Sequence, residues 1–237
     1  MADPRDDAAL ADEAIRLHER YTIEVIERFN LCPWARGART GGEVERYALL
    51  QTDLAPEPTL ELISGLEARG AAAPPIVIAV YPRVRTTPRE FDEFASQVKR
   101  LDQQRHGGRP AYVSATFHPD YALDTRTASA MVPYFRRSPD PSLQIVHFDT
   151  IEKARGTNNG TFVFDYTADG WAELQRRLTT LTVVERVAAD NKALLEKLGL
   201  EVFEAAYRDI LDDRARSYRR FGLSDGPSER VTERVTD

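Results

Sequence analysis

The run Pro75-Ile76-Val77-Ile78-Ala79-Val80, followed by Thr87-Pro88-Arg89-Glu90, decides how this chain folds. An unbroken apolar run of this length reads as a strand covered on both faces. Thr87 then suits a helix N-cap, Pro88 the first helical position and Glu90 the reciprocal capping-box position. The helix so opened extends to about Gln104 and stops before Gly107-Gly108, and Ala111–Phe117 reads as the next strand. Strand, helix and strand in succession point to an α/β protein with a crossover connection.

Outward from there the alternation continues. Upstream, Val44–Gln51 reads as a strand and Pro58–Arg69 as a helix. A first helix over Asp7–Arg28 places Ala11, Ala14, Ile15, His18, Tyr21, Val25 and Ile26 at helical spacing and breaks at Asn30. Gly37 to Gly42 reads as a flexible surface loop. Downstream, an irregular segment rich in Pro, Asp, Arg and Ser runs through Pro141 to a strand at Leu143–Phe148. A short helix at Thr150–Ala154, a turn at Asn158-Asn159-Gly160 and a strand at Thr161–Tyr166 come next. The pattern then turns helical: Trp171–Leu181, Val184–Leu198 and Val202–Phe221, with Gly199 terminating the middle one. The expectation is a single α/β domain over 1–223, two-layered, with helices packed over a mixed sheet. Its helical C-terminal part starts at about 169, and 224–237 reads as a disordered tail. A ferredoxin-like split β-α-β is one way to wind it.

Composition narrows the function classes. The chain has 237 residues, 42% of them apolar and 30% charged, and a mean hydropathy of −0.46. That is the balance of a soluble globular protein. A net charge of −6 argues against a sequence-independent grip on nucleic acid. With Cys32 the only cysteine, internal disulfides and all-cysteine metal sites are excluded. Neither an export signal nor a membrane-length apolar run is read, so the cytoplasm is the expected location and no membrane partner is expected. The P-loop, the dinucleotide glycine fingerprint, the zinc-protease His-Glu-x-x-His and the Gly-x-Ser-x-Gly elbow are all missing.

Three constellations remain. In Leu31-Cys32-Pro33-Trp34, proline after cysteine suits a short helix with Cys32 at its N-cap, where amide donors and the helix dipole favour a thiolate. Such a thiolate can be a nucleophile, a redox centre or a ligand to haem iron; equally, Cys32 can be a small buried apolar residue. In Phe117-His118-Pro119-Asp120-Tyr121, the strand delivers His118 to its carboxyl end, where α/β sheets collect ligands. His118 can there be a general base or a metal ligand, with Tyr121 a proton donor, or it can close a turn by bonding the backbone. In Arg136-Arg137-Ser138-Pro139-Asp140-Pro141, two arginines and a serine can clamp a carboxylate or phosphate, or form a solvated basic turn. His147 reads as a structural histidine, and His18 and His106 carry no assigned chemistry.

These three motifs in this order, with Asp190-Asn191-Lys192, Leu195 and Leu198-Gly199, resemble the bacterial domain of unknown function 1415 family over roughly Ala14 to Leu200. The resemblance implies a single-domain cytoplasmic protein whose site includes Cys32-Pro33, Phe117-His118-Pro119 with Tyr121, and Arg137-Ser138-Pro139 with Pro141. Arg136 stands where the family usually has Asn. Gln144, His147 and Phe148 replace the usual histidine, arginine and glutamate, which implies an altered pocket.

The motifs support three functional expectations. The first is an oxidoreductase with iron or haem held by Cys32 and/or His118, acting on a small carboxylate- or phosphate-bearing substrate held by Arg136, Arg137 and Ser138. The second is a cofactor-free hydrolase or transferase with Cys32 as nucleophile, His118 as base and Arg137 as clamp. The third is a non-catalytic binding or accessory protein. The helical C-terminus has two readings, a cap over the site or a homodimer interface.

Overall fold

Strand β2 (Ile76–Val80) sends Ile76, Ile78 and Val80 into one apolar cluster and Val77 and Ala79 into another, on opposite faces of the sheet. The computed structural model describes residues 4–108, 112–147, 150 and 183–223. The readings of a helix beyond Thr150, of the turn at Asn158, of Thr161–Tyr166 and Trp171–Leu181, and of the tail from Ser224 lie outside the described residues.

Among the described residues four strands form a mixed sheet: β1 (Val44–Ala48), β2, β3 (Tyr112–Phe117) and β4 (Ser142–His147), in the order β1-β2-β4-β3. β1 and β2 are parallel, with Val44 opposite Ile76. β4 is antiparallel to both neighbours, with Leu143 opposite Ala79 on one side and Thr116 on the other. β2 and β3 therefore run parallel with β4 between them, a split β-α-β unit. Where a ferredoxin-like sheet has an antiparallel strand beside β2, this sheet has the parallel β1.

Helices cover both faces. α3 (Glu57–Arg69) and α4 (Pro88–Arg105) bury Leu60, Ile63, Leu66, Phe91, Phe94 and Val98 against Val77, Ala79, Leu143 and Ile145. On the other face α1 (Pro4–Tyr21) packs Leu10, Ala14 and Leu17 against Ile78 and Val80. The two-layer expectation is thus corrected to three layers; the all-apolar β2, with no polar face to turn to water, is its physical cause. The Thr87 capping box forms as its sequence implies: Thr87 Oγ1 accepts from Glu90 N–H at 3.3 Å, and Thr87 N–H donates to Glu90 Oε2 at 2.7 Å.

α1 continues as a π-helix over Thr22–Glu27, whose wider turns donate Leu31 N–H to the Ile26 carbonyl at 2.9 Å. It ends at Asn30, whose φ of 52° lies in the left-handed region that asparagine tolerates. Two helices depart from the sequence reading. α2 (Ala35–Thr40) occupies the glycine-rich stretch expected to be a loop, and α5 (Ala128–Phe135) lies within the segment expected to be irregular. α5 starts where Thr127 Oγ1 accepts from Ala130 N–H at 3.0 Å, and it accommodates Pro133 inside. α6 (Val183–Leu198) and α7 (Leu200–Tyr218) complete the described chain. Phe203, Tyr207 and Ile210 of α7 join Tyr21, Val25, Phe29, Met131, Tyr134 and Phe135 in a third cluster, which Phe117 of β3 also meets.

Candidate functional site

The carboxyl end of β3, the end of α5 and the loop after the π-helix converge. His118 N–H donates to the Arg136 carbonyl at 3.1 Å, which fastens the strand end to the residue that caps α5. Asn191 of α6, 5% exposed, donates to the Leu31 carbonyl at 3.2 Å and holds the loop that carries Cys32.

His118 is fully buried. Its Nε2–H donates to the Thr86 carbonyl at 3.1 Å, and Nδ1 accepts from Asp120 N–H at 3.1 Å. Burial pushes the imidazole down to about 4, so it is neutral at pH 7. Both nitrogens serve the main chain, and in this arrangement His118 has no lone pair for a thiol or a metal. It closes the turn after β3, and any iron or haem at this site would rely on Cys32 rather than on His118.

Cys32 is partly exposed and precedes the helix rather than capping it; α2 begins at Ala35 with Trp34 at its N-cap. Burial raises the thiol above its ordinary range, against the Trp34 and Ala35 amides and the Arg136 cation, which pull it down. The expectation of a lowered thiol is therefore corrected. The donors are present, but desolvation outweighs them.

The Arg-Arg-Ser segment divides. Arg137 is sandwiched between the rings of Tyr134 and Tyr207, at 4.2 and 4.3 Å, and donates to Glu204 Oε1 at 2.8 Å. Ser138, fully buried, donates to the Asp140 carbonyl and accepts from Ser142 Oγ at 3.0 Å. Both hold the fold together, and Arg137 Nε, although buried, has no hydrogen-bond partner among the described residues. Arg136 differs. Its guanidinium is half-buried, lies 6.0 Å from the Phe117 ring, and makes no hydrogen bond or ion pair with a side chain among the described residues. Burial lowers its affinity for its proton, while Tyr121, Tyr21, Cys32 and Asp92 act on it electrostatically the other way. Arg136 is the common neighbour of the groups at this site.

Tyr121 donates to Asp92 Oδ1 at 2.6 Å. Thr116 Oγ1 lies 2.7 Å from the same oxygen and 2.7 Å from the phenol, so its single proton has two acceptors to choose from. Burial and then Asp92 raise the Tyr121 phenol well above its ordinary value, and it keeps its proton. Asp92 itself is exposed on α4, so this hydroxyl–carboxylate chain reaches the surface. Sequence reasoning missed Asp92 and Thr116. A usable signal was there: Ser114 and Thr116 are polar at strand positions that face α4.

Together these residues offer a cation for an anionic group, a phenol joined to a carboxylate for proton transfer, and a protonated thiol. The chain belongs to the family described as protein of unknown function (DUF1415), whose model matches residues 13–161. That span includes Cys32, Asp92, Thr116, His118, Tyr121 and Arg136, and it ends before Asn191. No curated protein and no solved structure matches the chain.

Proposed function

We propose that this protein binds a small carboxylate- or phosphate-bearing molecule through Arg136, with Tyr121 and Cys32 beside the bound group. One observation carries this reading: a half-buried guanidinium without a carboxylate partner among the described residues. Removing a cation from water without pairing it costs stability, and a ligand anion would recover that cost through a bidentate contact. The adjacent Arg137 and the buried Arg214 are both paired with carboxylates, whereas Arg136 has no such pair among the described residues. The fit to a small molecule rests on the burial of the guanidinium beside the Phe117 ring, within electrostatic reach of Tyr121, Tyr21, Cys32 and Asp92.

Thermal unfolding in the presence of inorganic phosphate and of simple mono- and dicarboxylates tests it. A saturable rise in Tm in the native protein, absent in Arg136→Gln and retained in Arg126→Gln, is expected. Equal rises in native protein and Arg136→Gln would sink the reading.

A second reading, a cofactor-free thiol hydrolase or transferase, has its own support in the Trp34 and Ala35 amides and the Arg136 cation, all of which favour the Cys32 thiolate. The proton would leave by a route other than His118. Turnover of activated esters that disappears in Cys32→Ser but survives His118→Gln would support it, whereas turnover indifferent to Cys32 would exclude it.

A further inference from the structure

At the opposite end of α4 from this site, two helices finish side by side. We infer that Glu67, Asp102 and His106 form a binding site there for a divalent transition-metal ion of the zinc class. One ligand atom from each residue lies within 4.8 Å of the other two. His106 Nε2 is 2.7 Å from Glu67 Oε1, and Nδ1 is 3.3 Å from Asp102 Oδ1.

Three features point to a cation. His106 Nδ1 lies 2.8 Å from the main-chain carbonyl of Asp102 and donates to it, which turns Nε2 toward Glu67. Metal-binding histidines are oriented this way, one ring nitrogen held by a carbonyl and the other presented to the ion. Glu67 Oε1, despite its closeness to Nε2, meets it outside hydrogen-bond geometry and is a buried oxygen with no hydrogen-bond partner among the described residues. Asp102, 3% exposed, sits in the last turn of α4, where the helix dipole disfavours a carboxylate.

An imidazolium proton can supply one charge, and a metal ion supplies two. One imidazole and two carboxylates suit zinc, with water completing the coordination. Ligand atoms about 2.0–2.2 Å from a tetrahedral zinc stand about 3.3–3.6 Å apart, so Glu67 Oε1 must draw back from Nε2 by about 0.7 Å, and Asp102 Oδ1, which stands beside Nδ1, must turn toward the ion on Nε2. Its side chain, 32% exposed near the end of α3, has room to turn.

Calorimetric titration of the full-length protein with zinc chloride at neutral pH tests this, with far-UV circular dichroism confirming that each variant is folded. One equivalent is expected to bind, weakened at least about tenfold in His106→Gln and in Glu67→Gln and unchanged in Cys32→Ser. If His106→Gln does not fold, Glu67→Gln decides alone. The inference is overturned if the folded native protein takes up no zinc, if neither substitution weakens uptake, or if uptake disappears with Cys32→Ser.

Discussion

Asp140→Asn is expected to destabilise the protein by about 3 kcal/mol, the lower end of the cost of breaking one side of a buried ion pair. Asp140 and Arg214 are 0% and 1% exposed. Arg214 Nε donates to Asp140 Oδ1 at 2.8 Å, the Tyr218 hydroxyl donates to Oδ2 at 2.6 Å, and the guanidinium lies 4.4 Å over the Tyr218 ring. The pair fastens α7 to the turn that precedes β4. Asparagine keeps the shape and removes the charge, which leaves a buried cation facing a neutral amide. Removing one partner of such a pair costs roughly 3–5 kcal/mol. The lower end applies because the native pair is itself incompletely satisfied. Arg214 Nη1 has no hydrogen-bond partner among the described residues, and Nη2, though 2.7 Å from Oδ1, is outside hydrogen-bond geometry. Urea unfolding followed by far-UV circular dichroism measures the loss at constant m, and thermal unfolding should show a fall of about 6–12 °C. Asp140→Asn combined with Arg214→Met removes both charges and should recover most of the loss, since a buried pair replaced by apolar groups is often near neutral. A single-variant loss below about 1 kcal/mol, or a double variant no better than the single one, would refute the reasoning.

Stability should also fall in mild acid. His18 and His118 are held neutral by burial at about 3 and about 4, while their unfolded imidazoles titrate near 6.5. Between those values the unfolded chain binds the more protons, so stability is lost as pH falls through this window, with a slope approaching about 2.7 kcal/mol per pH unit for the pair. Urea midpoints between about pH 6.5 and about pH 4.5 measure it; a flat profile, or one that His118→Gln leaves unchanged, contradicts it. Arg136→Met should leave the unliganded protein as stable as before or about 1 kcal/mol more stable, because it removes a half-buried cation without a partner; a large loss in urea unfolding would make Arg136 structural. Cys32 should react with iodoacetamide more slowly than free cysteine at neutral pH, because burial holds its thiol protonated, and faster labelling than the free amino acid would reverse that view. Thr87→Ala should cost about 1 kcal/mol in urea unfolding through loss of its cap, and an unchanged midpoint would show that the capping box contributes nothing.

Much of the scaffold was legible. Helix α4 with its capping box, strands β2 and β3, and the end of the first helix at Asn30 arise from local chemistry that few alternative folds would satisfy. The two missed helices have identifiable causes. Pro133 argues against a helix at α5, and Gly37, Gly41 and Gly42 argue against one at α2. In each case tertiary packing supports what propensity disfavours: Met131, Tyr134 and Phe135 of α5 are buried in the third cluster, and Ala38 of α2 is buried too. The three motifs of the sequence do converge, but Asp92 and Thr116, which complete the hydroxyl–carboxylate chain with Tyr121, come from α4 and the sheet face it covers.

Sequence alone determined the α/β class, the family, and the segments that meet near Cys32, His118 and Arg136, because apolar periodicity, caps and turn residues act within a few residues along the chain. Tertiary structure alone decided what those side chains do. Arg136 and Arg137 are identical neighbours in sequence. Tyr134, Tyr207 and Glu204 enclose Arg137 from two helices, while among the described residues no carboxylate forms an ion pair with Arg136. His118 likewise reads as a catalytic residue until Thr86 and Asp120 engage both its nitrogens. The difference lies in desolvation and pairing, which depend on the groups that long-range packing brings together.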